Sequence, residues 1–210
     1  MSRKASLRGL YLLTNHDNNS QTQLLDDVEQ ALQSGARVIQ YRDKSADQLK
    51  RRQQAEVLNQ LCRQYDAQLL INDDVELAHD VGADGVHLGQ QDVSLLQARQ
   101  LLGDKAIIGV SCYNRLELAQ TAQRQGADYV AFGRFFSSSS KPEAVQADVA
   151  FLQTARQQIR LPIVAIGGIT PDNAASLILA GADMVAVIHA VFGQPDIGRA
   201  TRQFLSLFNQ

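Results

Sequence analysis

Between Leu69 and Asp92 two short apolar runs each end in side chains that bind ions. Asn72 and Asp73 close the first run, and His87, Gln90 and Asp92 lie at or just past the end of the second. Two carboxylates at neighbouring strand ends can share a divalent cation that keeps several waters and completes its shell on substrate phosphates. A second cluster, Gln40-Tyr41-Arg42-Asp43-Lys44, stands earlier, and alternation along a strand turns Gln40, Arg42 and Lys44 the same way. Arginine forks onto phosphate oxygens and lysine adds a point charge, so this edge suits a strongly anionic group. Taken alone it equally fits a solvated loop with ion pairs to Asp43 and Asp47. The conjunction with Asp73 and Asp92 favours Mg²⁺ and phosphate, whereas Asp74 fits a helix cap. His87 fits a satisfied core histidine as well as it fits a site residue.

Further along, Ser111 ends an apolar run, where its hydroxyl can either enter a site or cap the next helix. Ser137, Ser138, Ser139 and Ser140 precede Lys141, a run that can clasp an anion and close over a site, or serve as a polar linker. The pair Gly167-Gly168 leaves backbone N–H groups open to a phosphate. With Ile188 and His189, it follows the last two strand-like runs.

These groups need a scaffold, and the chain supplies a regular one. Short apolar runs alternate with segments of helical periodicity in eight strand-helix units, from Gly9–Thr14 to a last helix at Ile197–Phe208. The spacing predicts a long helix over Ala46–Tyr65 with Leu49, Ala55, Leu58, Leu61 and Cys62 inward, and another from about Pro142 to Gln158. Ser94 is placed as an N-cap and Pro171 as a first helical residue. Strands this continuously apolar belong to a parallel sheet covered on both faces. A step of Gly-Ala followed by Arg or Asp recurs at Gly35, Gly82, Gly126 and Gly181, entering strands two, four, six and eight. That recurrence matches the alternate-strand equivalence of an α/β, single-domain (β/α)₈ TIM barrel better than a doubly wound open sheet. Residues 1–8 read as an N-terminal extension. In such a barrel the strands' carboxyl ends form the site, and the loops after strands seven and eight take phosphate.

The chain has 210 residues and a formal net charge of −2, which argues against nucleic acid or an anionic membrane as a dominant partner. No stretch approaches ~18 consecutive apolar residues, so no membrane span is expected. Cys62 and Cys112 have neither CxxC spacing nor a histidine cluster, and they read as reduced thiols of a cytoplasmic protein. Nothing in the composition requires or forbids a homo-oligomer.

In order and spacing, GLYLLT, QYRDK, LLIND, GADGVHLGQQD, IIGVS, GADYVAFG, the serine loop with Lys141, AIGGITPDNA and GADMVAVI resemble the thiamine-phosphate synthase family over nearly the whole chain. The resemblance implies a TIM barrel that joins hydroxymethylpyrimidine diphosphate to hydroxyethylthiazole phosphate with Mg²⁺, releasing pyrophosphate. It places the pyrimidine diphosphate on Gln40, Arg42, Lys44, Asn72, Ser111 and Lys141, and Mg²⁺ on Asp73 and Asp92. Of these, Arg42, Lys44, Ser111 and Lys141 would act in catalysis. It places the thiazole phosphate on the serine loop (Ser138, Ser139, Ser140), Gly168, Ile188 and His189. The chain departs from the family's usual residues at Arg134 (proline), Ser138 and Ser140 (threonines), His189 (serine) and Cys112-Tyr113-Asn114. The rival readings are a thiazole tautomerase, which needs no diphosphate-metal site, and a non-catalytic phosphometabolite-binding regulator.

Overall fold

The computed structural model describes residues 7–14, 20–137 and 147–208. Eight parallel strands close into a barrel in chain order: β1 (Gly9–Leu13), β2 (Val38–Tyr41), β3 (Gln68–Asn72), β4 (Gly85–Leu88), β5 (Ile107–Ser111), β6 (Tyr129–Gly133), β7 (Ile163–Ile166) and β8 (Met184–Val187). Between them run α1 (Gln21–Gln33), α2 (Gln48–Gln64), α3 (Val75–Asp80), α4 (Leu95–Leu102), α5 (Leu116–Arg124), α6 (Val149–Gln158) and α7 (Pro171–Leu179). After β8 come a single turn, α8 (His189–Phe192), and the closing helix α9 (Ile197–Ser206). The α/β single-barrel expectation is thus met, with α8 as an unread addition.

Strand alternation separates two cores. Leu10, Leu12, Ile39, Leu69, Ile71, Val86, Ile108, Val130 and Val185 point outward and pack under the helices. Tyr11, Leu13, Val38, Leu70, Ile107, Tyr129, Val164 and Met184 point inward and fill the barrel. Leu7, read as part of an extension, is buried in that inner core.

The repeated Gly-Ala-Asp step has a physical reason at the amino-terminal end of the barrel. Its glycines take φ from 62° to 109°, a left-handed turn at which the chain leaves a helix and enters a strand. The aspartate then reaches back to the preceding strand: Asp84 accepts the Leu69 N–H (2.9 Å), Asp128 the Ile108 N–H (2.8 Å) and Asp183 the Ile163 N–H (2.8 Å). Arg99 and Arg156 pair with Asp128 and Asp183 at 2.6 and 2.9 Å.

Two helical expectations need correction. Leu49 is 66% exposed, and burial along α2 begins only at Gln54 and Ala55. The helix read from Pro142 begins at Val149, where the Asp148 carboxylate caps it through the Phe151 N–H at 2.7 Å, and residues 142–146 lie outside the described residues. Ser94 caps α4 in a capping box with Gln97, and Pro171 opens α7, as their positions predict.

Candidate active site

β2 ends at Tyr41, so Gln40 is the last inward residue of a strand while Arg42 and Lys44 stand on the loop beyond it. Gln40 is buried and donates from Nε2 to the Tyr11 hydroxyl at 2.5 Å. Asp43 does not neutralise the neighbouring cations. It takes Lys50 at 3.0 Å and the Ser45 N–H at 2.7 Å, and Asp47 caps α2 through the Lys50 N–H. Arg42 and Lys44 therefore do not form, among the described residues, the ion pairs to Asp43 and Asp47 that a solvated loop would give them. Lys44 instead reaches across to Asp73 at 3.5 Å, a half-exposed pair worth under about 1 kcal/mol.

Asp73 follows β3 with φ +64°, a left-handed conformation that costs a non-glycine residue about 1 kcal/mol or more. Its N–H is held by the His87 carbonyl at 2.8 Å, which ties the turn after β3 to β4. Asp92 curls back on the turn after β4 and accepts the Gly89 N–H at 2.6 Å. Partial burial, and then the carboxylate of Asp73, hold the Asp92 carboxyl above its ordinary range, against the pull of the Gly89 N–H and Lys44. Two like charges forced together in this way fit a divalent cation, whose presence would relieve their repulsion. No group of three or more His, Cys, Asp or Glu occurs among the described residues, so such an ion would complete its shell on water and substrate oxygens, as Mg²⁺ does. Asp74 takes the role expected of it, capping α3 through the Leu77 N–H at 2.9 Å and pairing with Arg51 at 2.7 Å.

Ser111 is not a helix cap, since α5 starts at Leu116 after Arg115. Its hydroxyl meets His87 Nε2 at 2.9 Å, and its carbonyl accepts from Gln90 at 2.6 Å. His87 Nδ1 meets the Tyr129 hydroxyl at 2.8 Å, and Tyr129 meets Tyr11 at 2.8 Å. His87 is thus buried and bonded at both ring nitrogens, yet it leads straight to the mouth. Tyr11 and Tyr129 escaped the sequence reading because they sit within apolar runs. The available signal was a tyrosine at an inward position of a closed barrel, where a hydroxyl must find a partner.

After β6, the backbone of Phe135 and Phe136 donates to Ile166 and Gly167 at 3.2 and 2.9 Å, and Ala147 returns to the Arg134 carbonyl at 2.7 Å. Gly168 has φ +64°, and a Cβ there would lie 2.3 Å from the Ser137 carbonyl oxygen, so only glycine lets these two segments meet. Its N–H takes no backbone partner among the described residues. Ile188 precedes α8, and His189, its first residue, is exposed. Asn72 stands half-buried at the end of β3. Ser138, Ser139, Ser140 and Lys141 lie outside the described residues. The structure therefore gathers Gln40, Arg42, Lys44, Asn72, Asp73, Asp92, Ser111, Gly168, Ile188 and His189 at the strands' carboxyl end.

A closed parallel barrel with ionic and backbone donors gathered at that end defines a (β/α)₈-barrel enzyme. A family model described as thiamine monophosphate synthase matches residues 10–191. The chain belongs to that family. It is 52% identical over 204 residues to the thiamine-phosphate synthase of Nitrosococcus oceani, covering 97% of this chain and 94% of the relative. The thiamine-phosphate synthase of Thiobacillus denitrificans is 51% identical over 200 residues, covering 95% and 94%. Among solved structures, thiamine phosphate pyrophosphorylase from Pyrococcus furiosus superposes with a TM-score of 0.86 at 34% identity, covering 99% of this chain and 97% of that one. A 3-hexulose-6-phosphate synthase, at 17% identity and a TM-score of 0.70, shares the fold. No helix among the described residues is long and apolar enough to cross a membrane.

Proposed function

We propose that this chain is a thiamine-phosphate synthase, joining 4-amino-2-methyl-5-hydroxymethylpyrimidine diphosphate to hydroxyethylthiazole phosphate with release of pyrophosphate. The observation that carries the reading is the meeting of two cations, Arg42 and Lys44, with the Asp73–Asp92 carboxylates on neighbouring strand ends, where Lys44 lies 3.5 Å from Asp73. Nothing favours the tautomerase or the silent regulator, and the similar relatives bear the synthase name.

The reaction breaks the bond between the pyrimidine methylene and the diphosphate oxygen, which leaves with the electron pair. A new C–N bond then forms from the thiazole nitrogen's lone pair. Arg42 and Lys44 would hold the departing pyrophosphate, and Ser111 would donate its hydroxyl to a phosphate oxygen. Lys141, beyond the described residues, would add a further positive charge from the loop after β6. Asp73 and Asp92 are the residues that would hold Mg²⁺, whose charge on the diphosphate oxygens lowers the cost of their release. Gly168, Ile188, His189 and the serine loop would seat the thiazole phosphate. The site offers positioning and electrostatic stabilisation, and the chemistry calls for no protein nucleophile. The proposed setting is cytoplasmic.

The direct test incubates the purified protein with both phosphorylated substrates, with and without Mg²⁺, and measures thiamine phosphate. Formation only with the metal is expected. Absence of product while both substrates bind would overturn the reading.

A further inference from the structure

Ser111 is held from β4 and the turn after it at two points. Its carbonyl accepts from Gln90 Nε2 at 2.6 Å, while its hydroxyl meets His87 Nε2 at 2.9 Å. The next residue, Cys112, donates its N–H to the Ala131 carbonyl at 2.8 Å, so the backbone at the end of β5 is fixed and the hydroxyl's rotation is left to set. What sets it lies behind His87, in a hydrogen-bonded line through the upper barrel. Gln40 Nε2 donates to the Tyr11 hydroxyl at 2.5 Å, Tyr11 meets Tyr129 at 2.8 Å and Tyr129 meets His87 Nδ1 at 2.8 Å. The Tyr129 ring stacks on His87 with centroids 5.6 Å apart, and Gly109 lies beneath it, where a Cβ would sit 1.9 Å from the ring's Cζ.

The line has a direction. Burial pushes both tyrosine hydroxyls well above their ordinary range, so each keeps its proton and has it to donate. Tyr11 receives the Gln40 N–H, and its own buried proton is satisfied by pointing to the Tyr129 oxygen. Tyr129 in turn donates to His87 Nδ1, which is then an unprotonated acceptor. A neutral imidazole with an accepting Nδ1 carries its hydrogen on Nε2. That N–H takes a lone pair of the Ser111 oxygen and leaves the hydroxyl proton to point toward the mouth. In the opposite tautomer Nε2 would accept the Ser111 proton, and the oxygen would turn lone pairs to an incoming phosphate, whose oxygens only accept.

Resting on the synthase reading, we infer that His87 is a positioning residue for pyrophosphate release: as the Nε2–H tautomer it holds Ser111 as a donor toward the departing diphosphate oxygens. Gln40, Tyr11 and Tyr129 fix that tautomer from the barrel interior. A hydrogen bond to a charged acceptor contributes on the order of 10- to 100-fold, and His87 governs whether Ser111 makes it.

The test compares His87→Gln, whose amide nitrogen stands where Nε2 stands, with His87→Asn, whose amide reaches only the Nδ1 position. For both, for Ser111→Ala and for Ser111→Ala combined with His87→Asn, it measures kcat per folded molecule and the Kd for inorganic pyrophosphate with Mg²⁺. Ser111→Ala and His87→Asn should each lower kcat about 30-fold and weaken pyrophosphate binding about 10-fold. His87→Gln should stay within about 5-fold of the wild type, and the double variant should match Ser111→Ala within about 3-fold. Losses that multiply in the double variant, or equal losses in the Asn and Gln variants, would mark a merely structural role and overturn the inference. Nitrogen NMR of the wild-type imidazole needs no variant: hydrogen on Nε2 is expected, and hydrogen on Nδ1 would overturn the inference. A wild type that binds pyrophosphate but makes no thiamine phosphate would remove the synthase reading, and the pyrophosphate ratios would still decide whether His87 acts through Ser111.

Discussion

At the amino-terminal end of the barrel Asp84, Asp128 and Asp183 each accept a backbone N–H from the preceding strand, and arginines pair with the latter two. At the carboxyl end Asp73 and Asp92 face one another, with a lysine at 3.5 Å and an aspartate backbone turned left-handed. One residue type closes hydrogen bonds at the first end and is held against its own charge at the second. The lower end gains stability from satisfied carboxylates, while the upper end gives some up to a strained backbone and two crowded charges, the arrangement the proposed site would use.

Substitutions should separate the two ends. Asp128→Ala leaves the Ile108 N–H and the Arg99 guanidinium without that carboxylate, and urea unfolding should show a loss of about 3 kcal/mol with the rate per folded molecule unchanged. A variant of full stability and reduced rate would break the contrast. Asp92→Asn should do the reverse, lowering the Mg²⁺-dependent rate about 100-fold while thiazole phosphate binding holds and stability does not fall. Loss of rate and stability together would make Asp92 structural.

Glycines sharpen the same contrast. Gly126, at φ +86° with open space around it, should lose about 1 kcal/mol on replacement by alanine and no activity. Gly168→Ala, pressing on the Ser137 carbonyl, should also raise the KM for thiazole phosphate about 10-fold.

The smallest effect is in pH. A carboxyl held above its ordinary pKa, as Asp92 is, binds its proton more tightly folded than unfolded, so its contribution to stability falls as pH rises through that range. Asp92→Asn should therefore raise Tm at pH 7 by no more than about 2 °C, and the gain should vanish on acidification below the carboxylate range. A gain that persists there would have another source than charge.

The scaffold was legible because its signals are local. Apolar runs, the glycine turns at 35, 82, 126 and 181, Ser94 and Pro171 each act within a few residues of themselves. Asp73 and Asp92 could be set side by side in the sequence because Asp73 closes one apolar run and Asp92 lies just past the end of the next. The inward line of Tyr11 and Tyr129 was not, since a tyrosine within GLYLL or YVAFG looks like any core aromatic until barrel closure brings the two hydroxyls to 2.8 Å. Leu49 misled for the opposite reason. Helical periodicity gives a face, but it does not say where along that face burial begins, which in α2 is at Gln54 and Ala55.

The backward reach of the three lower aspartates also divides the chain into interchangeable parts. Asp84 clasps β4 to β3, Asp128 clasps β6 to β5 and Asp183 clasps β8 to β7, so each clasp lies wholly within one consecutive pair of strands. A genetic crossover with a distant barrel, placed between pairs, would carry every clasp intact into the hybrid. One placed between β5 and β6 would part Asp128 from the Ile108 amide that it closes. Recombination along this chain has its natural seams after β4 and after β6.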